Sequence, residues 1–326
     1  MKAKLVPRIR REGRTRLEEA IPLNTPIHVF IDPSAACNFK CNFCFHADPR
    51  NKHHEIMKWD TFTRTVDQLG EFPRKLKAIR LYGFGEPLLN RQLPEMVAYT
   101  KDAGVTDFIE FTTNGWWLNP ALNRELVTAG LDAITISLPG LDEATIKRSC
   151  GKDVDLFGYY RNIADFYENK GKCRVHVKIT NAAFHDHIDE ALFHSLFDNI
   201  CDEISIDNIV PIWPGLEGEA VEDKSIYRGT INPVEVCPYI FYHLTIHANG
   251  DVSPCFIDWQ HTITLGNVNT TTLHEIWHSP KLNQMRLDNL EFNRKKYSLC
   301  AGCSQLTYGE PDNIDPYWEE LRERLL

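Results

Sequence analysis

Ten cysteines are spread along the chain, and seven of them fall into two sets by spacing. The first is Cys37, Cys41 and Cys44, within Ala36-Cys37-Asn38-Phe39-Lys40-Cys41-Asn42-Phe43-Cys44-Phe45, a Cys-x3-Cys-x2-Cys pattern. Three thiolates on one short loop suit a cubane of four irons and leave the fourth iron without a protein ligand. An iron open in that way can be chelated by the amino and carboxylate groups of a small molecule and pass it an electron. Zinc is the competing reading, with His46 pressed into service as a fourth ligand. Zinc sites, however, are usually built from paired Cys-x2-Cys units.

The second set is Cys237, Cys255, Cys300 and Cys303. Four thiolates in two pairs can close a tetrahedral zinc or ligate every iron of a 4Fe–4S cluster, and spacing leaves both open. Cys150, Cys173 and Cys201 belong to neither set. Cys173 and Cys201 flank strand-like segments and read as ordinary buried thiols.

The elements that must carry these loops follow from periodicity. Ile27–Ile31 reads as a short buried strand running straight into the first cysteine loop. Further strands are expected at Ala78–Tyr82, Phe108–Thr112, Ala133–Ser137, Arg174–Thr180 and Glu203–Ile209. Helical patterns lie between them, around Thr61–Leu69, Leu93–Asp102, Pro120–Ala129 and Ile188–Phe197, with a longer helical region broken near Gly151. This alternation implies parallel strands with right-handed crossovers and a curved sheet, whose chemistry gathers at the carboxyl ends of the strands. The cysteine loop, Gly83–Pro87, Thr113–Gly115 and Ser137–Gly140 all fall at such ends. Beyond Asn232 the pattern changes to short strands, turns and cysteines. Ser279-Pro280 and Asp315-Pro316 open two late helices, the second with Trp318, Leu321 and Leu325 on one face.

Composition excludes several function classes. With 326 residues, 43% hydrophobic and 25% charged, the chain is an ordinary globular one. A net charge of −9 and a pI near 5.8 argue against a nucleic-acid-binding surface. Lys2, Lys4, Arg8, Arg10, Arg11, Arg14 and Arg16 make a basic stretch that reads as a solvated terminal arm. No apolar run can span a bilayer and Met1–Arg16 lacks a secretory apolar region, so a cytoplasmic protein with reduced thiols is expected.

The cysteine triplet, with aromatic Phe43 just before the third cysteine, resembles the defining motif of the radical S-adenosylmethionine (SAM) superfamily. The resemblance implies that Phe43 lies near the adenine. Gly83-Phe84-Gly85-Glu86-Pro87 is similar to the family's Gly-Gly-Glu-Pro segment, implying that Gly83, Gly85 and Pro87 shape a loop whose carbonyls bind the SAM amino group, supported by Glu86. Thr113-Asn114-Gly115 and Ser137-Leu138-Pro139-Gly140 resemble further family segments, with Asn114 and Ser137 as SAM contacts or turn formers. Two departures stand out: Pro139 replaces an Asp usual in close relatives, and Cys150 replaces an Arg often found before the glycine that Gly151 matches.

The C-terminal cysteines, with Cys237-Pro238-Tyr239, Asn249-Gly250-Asp251-Val252-Ser253-Pro254-Cys255, Leu265-Gly266-Asn267-Val268, Glu275-Ile276-Trp277 and Cys300-x2-Cys303, resemble the SPASM and twitch extensions of that superfamily. Three cysteines of a full SPASM domain are absent after Cys303, so a single auxiliary 4Fe–4S cluster is implied, a layout similar to the twitch dehydrogenase of the butirosin pathway.

The implied fold is α/β, a partial (β/α)6 TIM-like barrel with a small α+β SPASM/twitch-like C-terminal domain. Its expected divisions are 1–24 (arm), 25–215 (core), 216–310 (auxiliary cluster domain) and 311–326 (C-terminal helix). The implied activity is reductive cleavage of SAM to a 5′-deoxyadenosyl radical that abstracts hydrogen from a substrate. Oxidation of a hydroxyl carbon on a sugar, aminocyclitol or related small molecule is the leading expectation, served by a flavodoxin- or ferredoxin-type electron donor. Peptide maturation by thioether formation, epimerisation or crosslinking is the alternative, as is a radical epimerase with Cys150 as hydrogen donor. Arg148, Asp258 and Glu86 are candidate bases without a spacing argument. Trp116, Trp117 and Trp213 are candidate pocket aromatics.

Overall fold

The computed structural model describes residues 2–9, 13–184, 187–216 and 223–326. Arg10 and Arg11 of the basic stretch, and part of the expected boundary region after residue 215, lie outside the described residues. Ten strands form one sheet: β1 (Lys4–Leu5), β2 (His28–Ile31), β3 (Ala78–Arg80), β4 (Ile109–Thr113), β5 (Ala133–Leu138), β6 (Arg174–Thr180), β7 (Glu203–Asp207), β8 (His243–Ile246), β9 (Asp251–Ser253) and β10 (Gly266–Asn267). Their order is β1-β7-β6-β5-β4-β3-β2-β8-β9-β10, and every pair from β1 to β8 is parallel. The six expected strands therefore lie side by side as β2–β7, with crossover helices such as Trp59–Leu69, Leu93–Ala103 and Pro120–Thr128 between them.

Period-2 alternation explains the two faces. Ile134, Ile136 and Leu138 of β5 and Val175, Val177 and Ile179 of β6 are buried in the main apolar core. The alternate positions, Thr135 and His176 with His28, Phe30, Arg80, Glu110 and Thr112 of the other strands, line an interior cavity together with Tyr82 just past β3. A sheet apolar on one side and charged on the other has to curve around something polar. The strand order is linear, so this is an open, partial barrel rather than a closed one.

Two features depart from the sequence reading. The basic stretch is not simply a solvated arm: Lys4 and Leu5 pair with Glu203 and Ile204, and Arg8 forms an ion pair with Asp207 at 3.3 Å. A two-residue strand carries too little periodicity to be read locally. At the other edge β8 pairs with β2 in parallel, His28 opposite His243, so the C-terminal region continues the core sheet.

Of the two late helices the first starts at a side-chain cap, and the second is entered through the 3-10 turn Asp315–Tyr317 without one. The Ser279 hydroxyl accepts from the Leu282 N–H at the head of Pro280–Leu290. Trp318–Leu325 buries Leu321 completely, with Trp318 and Leu325 packed on a second core containing Leu17, Ile21 and Phe241. Among the described residues no helix is long and apolar enough to cross a membrane.

Candidate active site

The first cysteine loop leaves β2 and is clamped by the loop after β3. The Asp32 carboxylate accepts from the Phe84 N–H at 3.2 Å, and the Glu86 N–H donates to the Ala36 carbonyl at 2.8 Å. A Cβ on Gly85 would stand 2.1 Å from the Ser34 oxygen and 2.3 Å from the Ala36 oxygen, so only glycine allows the two backbones to meet. At Gly83 there is a little more room, a Cβ there standing 3.1 Å from the Asp32 Cβ. Pro87 opens a short 3-10 turn, Pro87–Leu89, whose first residues keep the loop stiff. His46, the possible zinc ligand, instead meets the Phe84 carbonyl through Nε2 at 2.5 Å and Asn51 through Nδ1 at 3.2 Å.

Glu86 is 2% exposed and ties the loop after β3 to the end of β4. Its carboxylate accepts from the Thr113 hydroxyl at 2.6 Å, the Asn114 N–H at 2.7 Å and the Leu88 N–H at 3.0 Å. Burial nevertheless outweighs these donors and pushes its pKa up to about 7. With Leu88, Thr113 and Asn114 all donating to it, Glu86 braces the loop. Asn114 donates through Nδ2 to the Asn38 side chain at 2.8 Å, and its carbonyl accepts from the Tyr159 hydroxyl at 2.6 Å. Asn114 thus bridges the end of β4 to the cysteine loop. Phe43 is half-buried on that loop, and Ser137 is half-buried opposite Lys178 at the carboxyl end of β5.

Cys37, Cys41 and Cys44 stand close enough for their charges to act on one another. Burial pushes Cys37 up to about 12 and Cys44 up to about 11, and Cys41 also rises. The charges acting on Cys37 are like charges, Glu86 and Cys44. Three half-buried thiols that burial pushes up, with the Lys178 cation acting on them through Cys41, fit a soft cationic metal centre, which supplies positive charge and deprotonates them.

Cys150 ends the helix Glu143–Cys150 and is 1% exposed. Its carbonyl accepts from the Lys40 N–H at 3.1 Å, and its thiol lies in the main core near Cys41. Cys150 is not among the residues lining the barrel cavity, and neither are Cys37, Cys41, Cys44, Phe43, Asn114 or Ser137.

The second set converges as well. Cys237, Cys255, Cys300 and Cys303 together wall a small cavity, and Cys303 acts electrostatically on each of the other three. The surrounding loops are held firmly. Arg294 donates through Nε to the Glu235 carbonyl at 2.9 Å and through a terminal nitrogen to the Cys300 carbonyl at 2.6 Å. Asp258, one of the candidate bases, is fully buried and accepts from the Ser253 hydroxyl and the Thr262 and Ile263 N–H groups at 2.8–3.2 Å. It organises the Cys255 loop. Arg148 is exposed, its guanidinium against the Thr145 hydroxyl at 3.2 Å, and it does not line the cavity.

The barrel cavity has a volume of about 510 Å³. Its strand-borne wall is charged: Arg80 meets Glu110 at 2.8 Å, and Arg174 meets Glu203 at 3.5 Å. Burial holds His176 down at about 4, so that ring faces the cavity neutral. Arg8 and Leu17 of the N-terminal stretch, and Tyr227, Tyr239, Phe256 and Gln305 of the C-terminal region, complete the enclosure. None of the three tryptophans lines it. Trp116 packs on Phe39, Trp213 on Phe45, and Trp117 is exposed. Arg80 and Glu110 are not singled out from sequence, while Arg8 enters there only as part of a solvated arm and Tyr239 only as part of the Cys237-Pro238-Tyr239 segment. The signal for the first two was present, a charge at an alternate position within an otherwise apolar strand.

Two family models match the chain: the radical SAM superfamily over residues 31–192 and an iron–sulfur cluster-binding domain, SPASM, over residues 237–304. The range of the second model takes in Cys237, Cys255, Cys300 and Cys303. Among curated relatives, a probable GTP 3′,8-cyclase of Sulfolobus acidocaldarius is 38% identical over 120 residues, 36% of each chain. One from Methanococcus maripaludis is 38% identical over 113 residues, 34% of this chain and 36% of that one. The chain thus spans about a third of the length of these relatives. Among solved structures, BtrN in complex with AdoMet and 2-DOIA superposes with a TM-score of 0.58 at 18% identity, over 88% of this chain and 96% of that one. Streptococcus suis SuiB bound to the precursor peptide SuiA gives 0.63 at 17%, over 83% and 69%. AdoMet-bound anSMEcpe gives 0.62 at 16%, over 92% and 95%. At these identities the likeness is one of fold.

Proposed function

Because the chain belongs to the radical SAM superfamily and carries an iron–sulfur cluster-binding extension, we propose that it oxidises a hydroxyl-bearing carbon of a small polar molecule, a sugar, aminocyclitol or relative, to a ketone. The observation that carries this reading is the barrel cavity. Its volume of about 510 Å³ is that of a small-molecule site, and its wall mixes guanidinium, carboxylate and phenol groups. A polyhydroxylated ligand can hydrogen-bond to the capacity these paired groups leave open, whereas an apolar one would strip water from them without replacing it.

In this reading Cys37, Cys41 and Cys44 hold the SAM-binding 4Fe–4S cluster, and Cys237, Cys255, Cys300 and Cys303 hold a single auxiliary one. Bound SAM, once reduced, supplies a 5′-deoxyadenosyl radical that takes a hydrogen atom from the substrate. The chain's own work is positioning. Glu86, through Thr113 and Asn114, holds the Gly83–Pro87 loop against the cysteine loop, so that loop carbonyls, with Phe43, Asn114 and Ser137, frame SAM. Arg80 and Glu110 orient the substrate below it. Four thiols leave no iron of the auxiliary cluster open to bind substrate, which favours an electron-accepting role and disfavours carrying over the cyclase activity of the curated relatives. A flavodoxin- or ferredoxin-type protein would be the reductant.

A second reading, peptide maturation, has one supporting observation, the fold match to peptide-bound SuiB. Epimerisation through Cys150 has less support, because that thiol, though beside Cys41, is 1% exposed. The deciding experiment supplies anaerobic holoenzyme, SAM and reductant with carbon-deuterated amino sugars and aminocyclitols. Deuterium in 5′-deoxyadenosine together with a new ketone supports the proposal. Deuterium delivered only from a labelled peptide would replace it.

A further inference from the structure

The barrel cavity and the cavity of the four C-terminal thiols share a wall. Tyr239, Phe256 and Gln305 line both. Each comes from a different cysteine loop: Tyr239 two residues after Cys237, Phe256 directly after Cys255, and Gln305 two residues after Cys303. The partition is therefore one side chain thick, because each loop that turns a thiol to one side turns its neighbour to the other.

The wall is fastened to the barrel. The Phe256 ring stacks on Phe30 of β2, centroids 5.4 Å apart at 18°, and Tyr239 meets Phe256 edge-on at 5.0 Å. Gln305, 5% exposed, donates through Nε2 to the Tyr239 oxygen at 3.2 Å. The phenol accepts that bond, and its own O–H has no acceptor among the described residues. A phenylalanine would pack against Phe256 equally well, so what the tyrosine adds is a hydrogen-bond donor at the edge of a polar cavity.

We propose that Tyr239 is a substrate-positioning residue, its phenol O–H donating to an oxygen of the molecule in the barrel cavity and holding that carbon–oxygen bond against the partition behind which the auxiliary cluster binds. The proposal rests on the reading above in requiring an oxygen-bearing occupant and a cluster at the four thiols. In that reaction the carbon first loses a hydrogen atom to the 5′-deoxyadenosyl radical. It then gives one electron through the partition to the oxidised auxiliary cluster and its hydroxyl proton to water, leaving C=O and a cluster reduced by one electron.

The test uses holoprotein with both clusters reduced and carbon-deuterated glycerol as a hydroxyl-bearing probe that needs no knowledge of the substrate. Pulsed electron paramagnetic resonance reads deuterium coupling to the auxiliary cluster, with a Cys300→Ala/Cys303→Ala protein as the blank. Coupling is expected in the wild type, lost in Tyr239→Phe with iron content unchanged, and retained in Phe256→Leu, which loosens packing but keeps the phenol. No coupling in the wild type overturns the proposal. So does equal coupling in Tyr239→Phe, or equal loss in both variants, which would make the tyrosine a packing residue. Failure of the dehydrogenase reading looks different: glycerol couples through Tyr239 while no labelled polyol passes deuterium to 5′-deoxyadenosine.

Discussion

Glu86, on the loop after β3, accepts the Thr113 hydroxyl at 2.6 Å, and so one carboxylate locks two neighbouring strand ends into a single platform. Replacing it with Gln keeps the shape but puts an N–H₂ where donors already point. Glu86→Gln should cost about 1–3 kcal/mol of stability, the usual cost of an unmatched buried polar group, and weaken SAM binding measured by anaerobic equilibrium dialysis.

The same residue gives a pH dependence with a definite sign. Burial lifts Glu86 from its ordinary 4.5 to about 7, so the folded protein binds a proton that the unfolded chain releases. Its stabilising contribution is present below about 4.5 and is lost as pH rises through about 7. Denaturant titrations between pH 5 and 8 should therefore show the deficit of Glu86→Gln largest at the acid end and shrinking toward pH 8. A deficit that grows with pH would show that the carboxylate is held ionised.

Gly85→Ala should spoil the first cluster site and leave the second intact. The added Cβ would press on the Ser34 and Ala36 carbonyl oxygens, which are backbone and cannot swing aside. Iron content should fall from about eight to about four per chain, one cubane's worth, with loss of the SAM-induced change in the cluster spectrum.

Cys300→Ala with Cys303→Ala should remove the auxiliary cluster. Iron again falls to about four per chain, but here SAM is still cleaved to 5′-deoxyadenosine while ketone formation stops. Ketone formation at the wild-type rate would assign that cluster a purely structural role.

Glu110→Gln tests the cavity as the binding site. Glu110 and Arg80 pair at 2.8 Å from adjacent strands and both line the cavity. Removing the charge and half the acceptor capacity should raise KM for the substrate roughly tenfold, about 1.4 kcal/mol, with a smaller change in kcat. An unchanged KM would place the substrate elsewhere.

Much of this molecule was legible in its sequence, because the chemistry is written in local spacing. Cys37, Cys41 and Cys44 sit within eight residues, and a loop that short brings three thiols together whatever the rest of the chain does. The strand at Arg174–Thr180 is equally local, since RVHVKIT announces both its period and its charged face. What tertiary structure decided is what local pattern cannot carry. Lys4–Leu5 became a strand only because β7 had an open edge, and β8 joined β2 across more than two hundred residues. That Cys150 is buried in the main core beside Cys41 is likewise a matter of packing between segments far apart along the chain. Tyr239, Phe256 and Gln305 came to share one wall because four distant thiols converge. Register and packing between remote segments depend on which surfaces remain to be buried once the local elements have formed, and no window of sequence contains that information.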